Sequence, residues 1–237
     1  MKTAFVPGGY GGIGADVCNA LARAGMRVIV AGRDLAKARS LARKIKGVPL
    51  QLDVRDVAWI ERALKPFPRI DVLVNCAGVS EEQSIGEVTE AAWDAVVDTN
   101  LKAAMFLAQA AAKRQKRGGK QVHLLSVRAQ LGLRGRGYST YCAAKGGLVM
   151  LVRQHAAELG PRGICVNGVA PTVVRTEMGA HWLKNPKTRA WLKERIPLGR
   201  IAEPADVTGA VMFFCSPAAD YITGQILYVD GGITASQ

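Results

Sequence analysis

The eight residues Pro7-Gly-Gly-Tyr-Gly-Gly-Ile-Gly14 restrict what this chain can become more than any other stretch. They follow a short apolar run, residues 3–6 (Thr-Ala-Phe-Val). Beyond them Val17, Leu21 and Ala24 recur at helical spacing until Gly25. Glycines between a strand and a helix permit a sharp turn. They also let a ligand approach the backbone at the helix N-terminus, where free amides and the dipole favour anions. Gly9-x-Gly11-x-x-Gly14 has the spacing of a turn that cradles a pyrophosphate, and Gly8-x-x-x-Gly12-x-Gly14 that of a close variant. Tyr10 and Ile13 lie within the run and share that position.

The remainder repeats the strand–helix rhythm. Arg27 to Ala31 reads as a second buried strand, and Asp34 can cap the helix carrying Leu35, Ala38, Leu41, Ala42 and Ile45. A strand over 48–52, a helix over 57–64 and a strand over 72–74 follow. Then come a helix over 89–112, a strand over 121–126, a helix over 139–159 and a strand over 164–169. After Pro171 lies a polar, Trp-bearing helical insertion, 176–195, then a helix over 204–215 and a strand over 225–229. Strands apolar on both faces and alternating with helices predict an α/β fold, a Rossmann-type doubly wound parallel sheet of about seven strands. With no linker in 237 residues, a single domain spans 1–237, the insertion forming a helical lid.

Composition narrows the compartment and the partners. No apolar run approaches the roughly 20 residues of a membrane helix. Met1 and Lys2 lead straight into the first strand, leaving no room for a leader. The five cysteines are scattered and odd in number, as expected of free thiols in a reducing cytoplasm. Neither they nor the three histidines have ligand spacing, so no metal site is expected. The net charge of +13 raises the question of nucleic acid, yet base-stacking basic–aromatic repeats are absent, and an anionic small ligand requires less. Eleven Lys and Arg but no acid lie between Asp98 and Glu158. Five of these, Lys113, Arg114, Lys116, Arg117 and Lys120, read as one solvated loop.

The chemistry-bearing candidates are Tyr141 and Lys145, four residues apart and hence on one face of a helix. An ammonium beside a phenol favours the phenolate, so Tyr141 is expected to exchange a proton nearer neutrality than free tyrosine. Ser126 follows the apolar run Val122 to Leu125 and can add a hydroxyl to the site. At the end of the second strand, Gly32 cannot repel a phosphate, Asp34 is occupied as a cap, and Arg33 is free to bond one. NADP is therefore favoured over NAD.

Six motifs taken in order resemble the short-chain dehydrogenase/reductase family over essentially the whole chain. They are the glycines 8–14, Asp53-Val54, Asn75-Cys-Ala-Gly78, Asn100, Ser126 with Tyr141 and Lys145, and Pro171 to Thr176. The resemblance implies an NAD(P)-dependent oxidoreductase acting on secondary alcohols and ketones. Asp53 and Val54 would hold the adenine, Asn75, Cys76, Ala77 and Gly78 would flank the adenosine ribose, and Val174 and Thr176 would meet the carboxamide. Tyr141 would be the acid/base, Lys145 would bind the nicotinamide ribose, Ser126 the substrate oxygen, and Asn100 a relay water. It also implies a homotetramer built through the two long helices. Pro7, Cys76 and Thr172 depart from the family pattern, as does Gly11, where many NADP-using relatives carry a basic residue.

The Ser126-to-Tyr141 interval is about two residues longer than is usual in such proteins, so the loop 128–138 is expected to bulge over the pocket. Arg128, Arg134 and Arg136 follow the strand and lie on its catalytic side, and Arg134 or Arg136 is expected to meet an anionic substrate. His181, Trp182 and Trp191 can line the pocket from the lid. The closing stretches Ala190 to Pro197 and Leu227 to Ala235 look most like gluconate 5-dehydrogenases and related sugar-acid reductases. Two alternatives remain. One is a 3-oxoacyl-thioester reductase whose basic surface receives an acidic acyl carrier protein; the other is a non-catalytic nucleotide- or nucleic-acid-binding protein on the same fold.

Overall fold

Both faces of β1 (Thr3–Pro7) are buried, Ala4 and Val6 entering one layer of the core and Phe5 the other. A strand without a solvent face belongs inside a parallel sheet covered on both sides. The computed structural model, which describes residues 1–236 apart from the side chain of His181, contains that sheet. The chain continues through α1 (Gly12–Arg23), β2 (Arg27–Gly32), α2 (Leu35–Ile45), β3 (Val48–Gln51), α3 (Val57–Leu64) and β4 (Val72–Asn75). Seven strands run in the order β3-β2-β1-β4, then β5 (Lys120–Leu124), β6 (Cys165–Pro171) and β7 (Ile226–Val229), every pairing parallel. Chain order reverses between β1 and β4, so the loops leaving their carboxyl ends part and open a crevice.

Helix caps act as the local sequence requires. Asp34 accepts from the Lys37 amide at 3.0 Å and starts α2; Lys46 ends it in the left-handed region, φ 54°. One layer packs α1 and α9 (Pro204–Cys215) on the sheet through Val17, Leu21, Val207 and Val211. The opposite layer sets α3, α5 (Ala103–Ala112) and α6 (Ser139–Leu159) against Phe5, Leu73 and Val166. Among the described residues no helix is long and apolar enough to cross a membrane.

Four expectations change. The helix expected over 89–112 is α4 (Glu90–Val97) and α5 joined by a π-helical turn, Asp98–Lys102, which carries Asn100. β5 starts at Lys120 and ends at Leu124, leaving Ser126 just beyond the strand. Lys120 is thereby not in a solvated loop: it is 4% exposed, with its ammonium 2.7 Å from the Asp220 carboxylate and 3.0 Å from the Ala219 carbonyl. The insertion is two helices, α7 (Ala180–Lys184) and α8 (Pro186–Arg195), because Asn185 caps the second and Pro186 cannot continue the first. A short α10 (Ile233–Ser236) closes the described chain and packs Ile233 against the lid residues Trp182 and Leu192.

Candidate active site

The glycine turn is shaped by what its neighbours leave room for. Gly8 lies at φ +71°, and a Cβ there would stand 2.7 Å from the Cys76 and Ala77 backbone. At Gly12 a Cβ would meet the Thr176 side chain. No side chain caps α1, so its first amides open into a cavity of about 360 Å³. Gly8, Tyr10 to Gly14, Arg33, Asp53 and Val54 line it, and Cys76, Ala77 and Gly78 close its inner side. Uncapped amides, an absence of side-chain bulk and an arginine at the far end fit a dinucleotide. These residues would hold NADP or NAD.

Tyr10 lies against Gly32, and its hydroxyl accepts from the Asp34 amide at 2.9 Å. Asp34 itself is spent on its helix, and Arg33 is exposed in the wall. Arg55, which the sequence reading did not single out, also lines the wall, but it is locked on Asp53 by contacts of 2.7–3.2 Å. Bonding to Arg55 holds the Asp53 carboxyl below its usual range. Asn75 does not line the cavity; its Oδ1 accepts from the Ala77 amide at 3.2 Å and braces the turn.

A second chamber, of about 190 Å³, shares Ile13, Cys76, Ala77, Gly78, Thr176 and Met178 with the first. Ser126, Tyr141, Lys145 and Val174 all line it. β5 delivers Ser126, the first turns of α6 deliver Tyr141 and Lys145, and the segment after β6 delivers Val174. The Lys145 ammonium donates to the Leu124 carbonyl at 2.7 Å and lies 5.6 Å from the Tyr141 ring centre. Gly78 lies where a Cβ would stand 3.1 Å from Asn100 Oδ1 and 3.8 Å from Lys145 Nζ, so these groups converge behind the chamber. The Asn100 side chain is not directed at a ligand: it accepts from the Val79 amide at 2.9 Å and donates to its carbonyl at 2.8 Å.

The electrostatics correct one expectation. Burial pushes the Tyr141 phenol up to about 12, outweighing the Ser126 hydroxyl, which hydrogen-bonds it and pulls the other way. Burial also pushes Lys145 down to about 8. Part of the Tyr141 surface borders the chamber, yet protein surrounds its hydroxyl closely enough for desolvation to dominate. The expected lowering of the phenol by the ammonium does not prevail; the ring is held protonated, as suits a proton donor. Cys76, half-buried beside this pair, is likewise held well above the usual thiol range by desolvation.

The loop 128–138 does border the chamber, through Arg128, Leu133 and Tyr138. Arg134 is exposed, and Arg136 bonds Glu82 at 3.1 Å while lying 4.5 Å over the Trp182 ring. Neither is among the described lining residues. The arginines of the wall are instead Arg128 and Arg195. Trp182 and Trp191 line the chamber, stacked with Tyr138 in a ladder with ring centres 6.1 and 6.4 Å apart. Trp182 Nε1 donates to the Tyr138 hydroxyl at 3.0 Å. The side chain of His181 lies outside the described residues.

A parallel sheet with its cradle at the strand-order reversal, and a tyrosine–lysine pair beside it, define a nicotinamide-dependent oxidoreductase. A family model described as enoyl-(acyl carrier protein) reductase matches residues 9–234. L-xylulose reductase of Bos taurus is 39% identical over 238 residues, covering 99% of this chain and 97% of that protein. The 3-oxoacyl-[acyl-carrier-protein] reductase of Rickettsia felis is 34% identical over 98% of this chain and 96% of its own. A solved gluconate 5-dehydrogenase from Burkholderia cenocepacia, in complex with NADP and tartrate, superposes with a TM-score of 0.94 at 30% identity. It covers 100% of this chain and 96% of its own. The chain belongs to the short-chain dehydrogenase/reductase family and is an oxidoreductase acting on CH–OH groups.

Proposed function

We propose that the protein interconverts a secondary alcohol and a ketone on a small polyhydroxylated substrate that carries a negative charge, with NADP preferred over NAD. The observation behind this reading is the convergence of Ser126, Tyr141 and Lys145 on the chamber that adjoins the dinucleotide cradle. When bound, the cofactor supplies or accepts the hydride. The Tyr141 hydroxyl gives its proton to the carbonyl oxygen as negative charge develops there, and takes it back in the oxidation direction. Ser126 donates to the same oxygen, and Lys145 holds the cofactor ribose. Asn100 fixes the backbone at Val79, next to the turn that closes the inner side of the cradle.

Arg33 bonds the 2′-phosphate and Asp53 and Val54 hold the adenine; the NADP and tartrate in the Burkholderia relative accord with this cofactor and with an anionic hydroxy acid. A panel of ketones and polyols, followed by reduced-nicotinamide absorbance with NADPH and NADH, tests the reading. Turnover of sugar acids or ketoses with NADPH is expected; absence of turnover on every carbonyl would overturn it. The net charge of +13 favours a second reading, reduction of a 3-oxoacyl thioester delivered by an acidic carrier protein. That reading requires thioesters to be turned over better than sugar acids. A purely nucleic-acid-binding role requires steeply salt-dependent oligonucleotide binding without turnover. We further propose a cytoplasmic homotetramer joined through α4–α5 and α6, where Trp93 and Met150 are exposed; light scattering that finds a monomer would contradict it.

A further inference from the structure

The half-buried Tyr10 side chain reaches from the glycine turn to the carboxyl end of β2. A Cβ at Gly32, the last residue of that strand, would overlap the Tyr10 ring and stand 3.0 Å from its hydroxyl. The ring thus fills the place that a side chain at the strand end would take. Tyr10, Gly32 and Arg33 all line the dinucleotide cavity. A phenol has one proton to donate and lone pairs with which to accept. The Tyr10 hydroxyl accepts from the Asp34 amide at 2.9 Å, and its own proton has no acceptor among the described residues. The nearby carboxylates are committed elsewhere: Asp34 takes the Lys37 amide at 3.0 Å, and Arg55 grips Asp53 at 2.7–3.2 Å. Donation from the Asp34 amide also polarises the phenol, which makes it a better donor.

Resting on the preference for NADP above, the geometry points to Tyr10 as a second reader of the 2′-phosphate, its hydroxyl donating to that group alongside Arg33. The end of the second strand is where the adenosine ribose lies in sheets of this kind. A hydrogen bond to a charged phosphate oxygen is stronger than one to the neutral 2′-hydroxyl of NAD, so the phenol contributes more to binding NADP. The ring has a second effect. A carboxylate at the strand end is the usual means of selecting the free 2′-hydroxyl, and with Tyr10 lying over Gly32 there is no room for one. One side chain therefore favours the phosphorylated cofactor and excludes the group that would choose the other.

Tyr10→Phe keeps the ring over Gly32 and removes only the hydroxyl; the Asp34 amide it frees belongs to an exposed residue and can bond water. NADPH and NADH differ only in the 2′-phosphate, so fluorescence titration with each, in the absence of substrate, reads the contact without any turnover. In Tyr10→Phe the NADPH affinity should fall by about 5- to 15-fold, with NADH bound within about 2-fold of the native affinity. Unchanged NADPH binding overturns the proposal. Equal weakening of both cofactors overturns it too, because a phenol that merely braces the glycine turn would affect both alike. Titration of the native protein and of Arg33→Ala judges the underlying reading separately. No native preference for NADPH removes that reading, and the role of Tyr10 with it. A native preference that Arg33→Ala reduces and Tyr10→Phe leaves intact removes the role of Tyr10 alone.

Discussion

Arg33→Ala isolates the group proposed to distinguish the two nicotinamide cofactors. In the wall of the dinucleotide cavity Arg33 is exposed and makes no ion pair among the described residues. Its neighbours cannot replace it: Gly32 has no side chain, the Asp34 carboxylate caps α2, and Arg55 is bound to Asp53. A charge-assisted hydrogen bond contributes about 1.5–3 kcal/mol, and exposure places each such bond at the low end. Two bonds to a 2′-phosphate, partly screened, therefore contribute about 1.5–3 kcal/mol together, or about 10- to 150-fold in Kd. Fluorescence titration of NADPH and NADH should show NADPH affinity falling by that factor in the variant and NADH affinity nearly unchanged. The native preference for NADPH should also shrink as salt is raised, since an exposed contact is screened. An unchanged NADPH-to-NADH ratio in the variant would refute the assignment, because no other uncommitted cation stands at that end of the cavity among the described residues.

Other outcomes follow from contacts already described. Gly12→Val drives a branched side chain into Thr176 and should cost about 1–3 kcal/mol of stability while abolishing measurable NADPH binding; thermal denaturation and titration read the two effects separately. Asn100→Ala leaves the Val79 amide and carbonyl without their partners, so its melting midpoint should fall by the equivalent of about 2–4 kcal/mol; a midpoint equal to that of the native protein would deny Asn100 this bracing role. Lys145 is charged below its lowered value of about 8 and neutral above it, so kcat/KM for cofactor should decline as pH rises through that value. The stability sign is opposite: the unfolded lysine keeps its proton up to its ordinary value of 10.5, so this residue's contribution rises with pH between the two.

The sheet was legible because strands such as β1, β2 and β4 are apolar on both faces and helices such as α2 carry a cap and a periodic stripe, as with Phe5 between Ala4 and Val6, or Asp34 before Leu35. Local pattern does not reveal how a residue count will be absorbed. The π-helical turn at Asn100 is invisible to a helical-spacing argument, since no glycine or proline among Asp98 to Lys102 marks it. Lys120 reads as one more cation in a basic run, yet it sits on the first residue of β5, and only the fold brings Asp220 to its ammonium. The cradle and the Ser126–Tyr141–Lys145 group were readable from spacing. Their electrostatics were not, because desolvation of Tyr141 depends on how closely other elements enclose it. For the same reason the sequence pointed to Arg134 and Arg136, while the chamber is lined by Arg128 at the root of that loop and by Arg195 from a helix remote in sequence.

The proposed proton donor at the carbonyl oxygen is the Tyr141 hydroxyl, which Tyr141→Phe removes while retaining the ring. Single-turnover reduction of the best ketone by pre-bound NADPH should slow by about 10²- to 10⁴-fold, with NADPH affinity unchanged. Reduction at a rate close to that of the native protein would show that another group moves the proton.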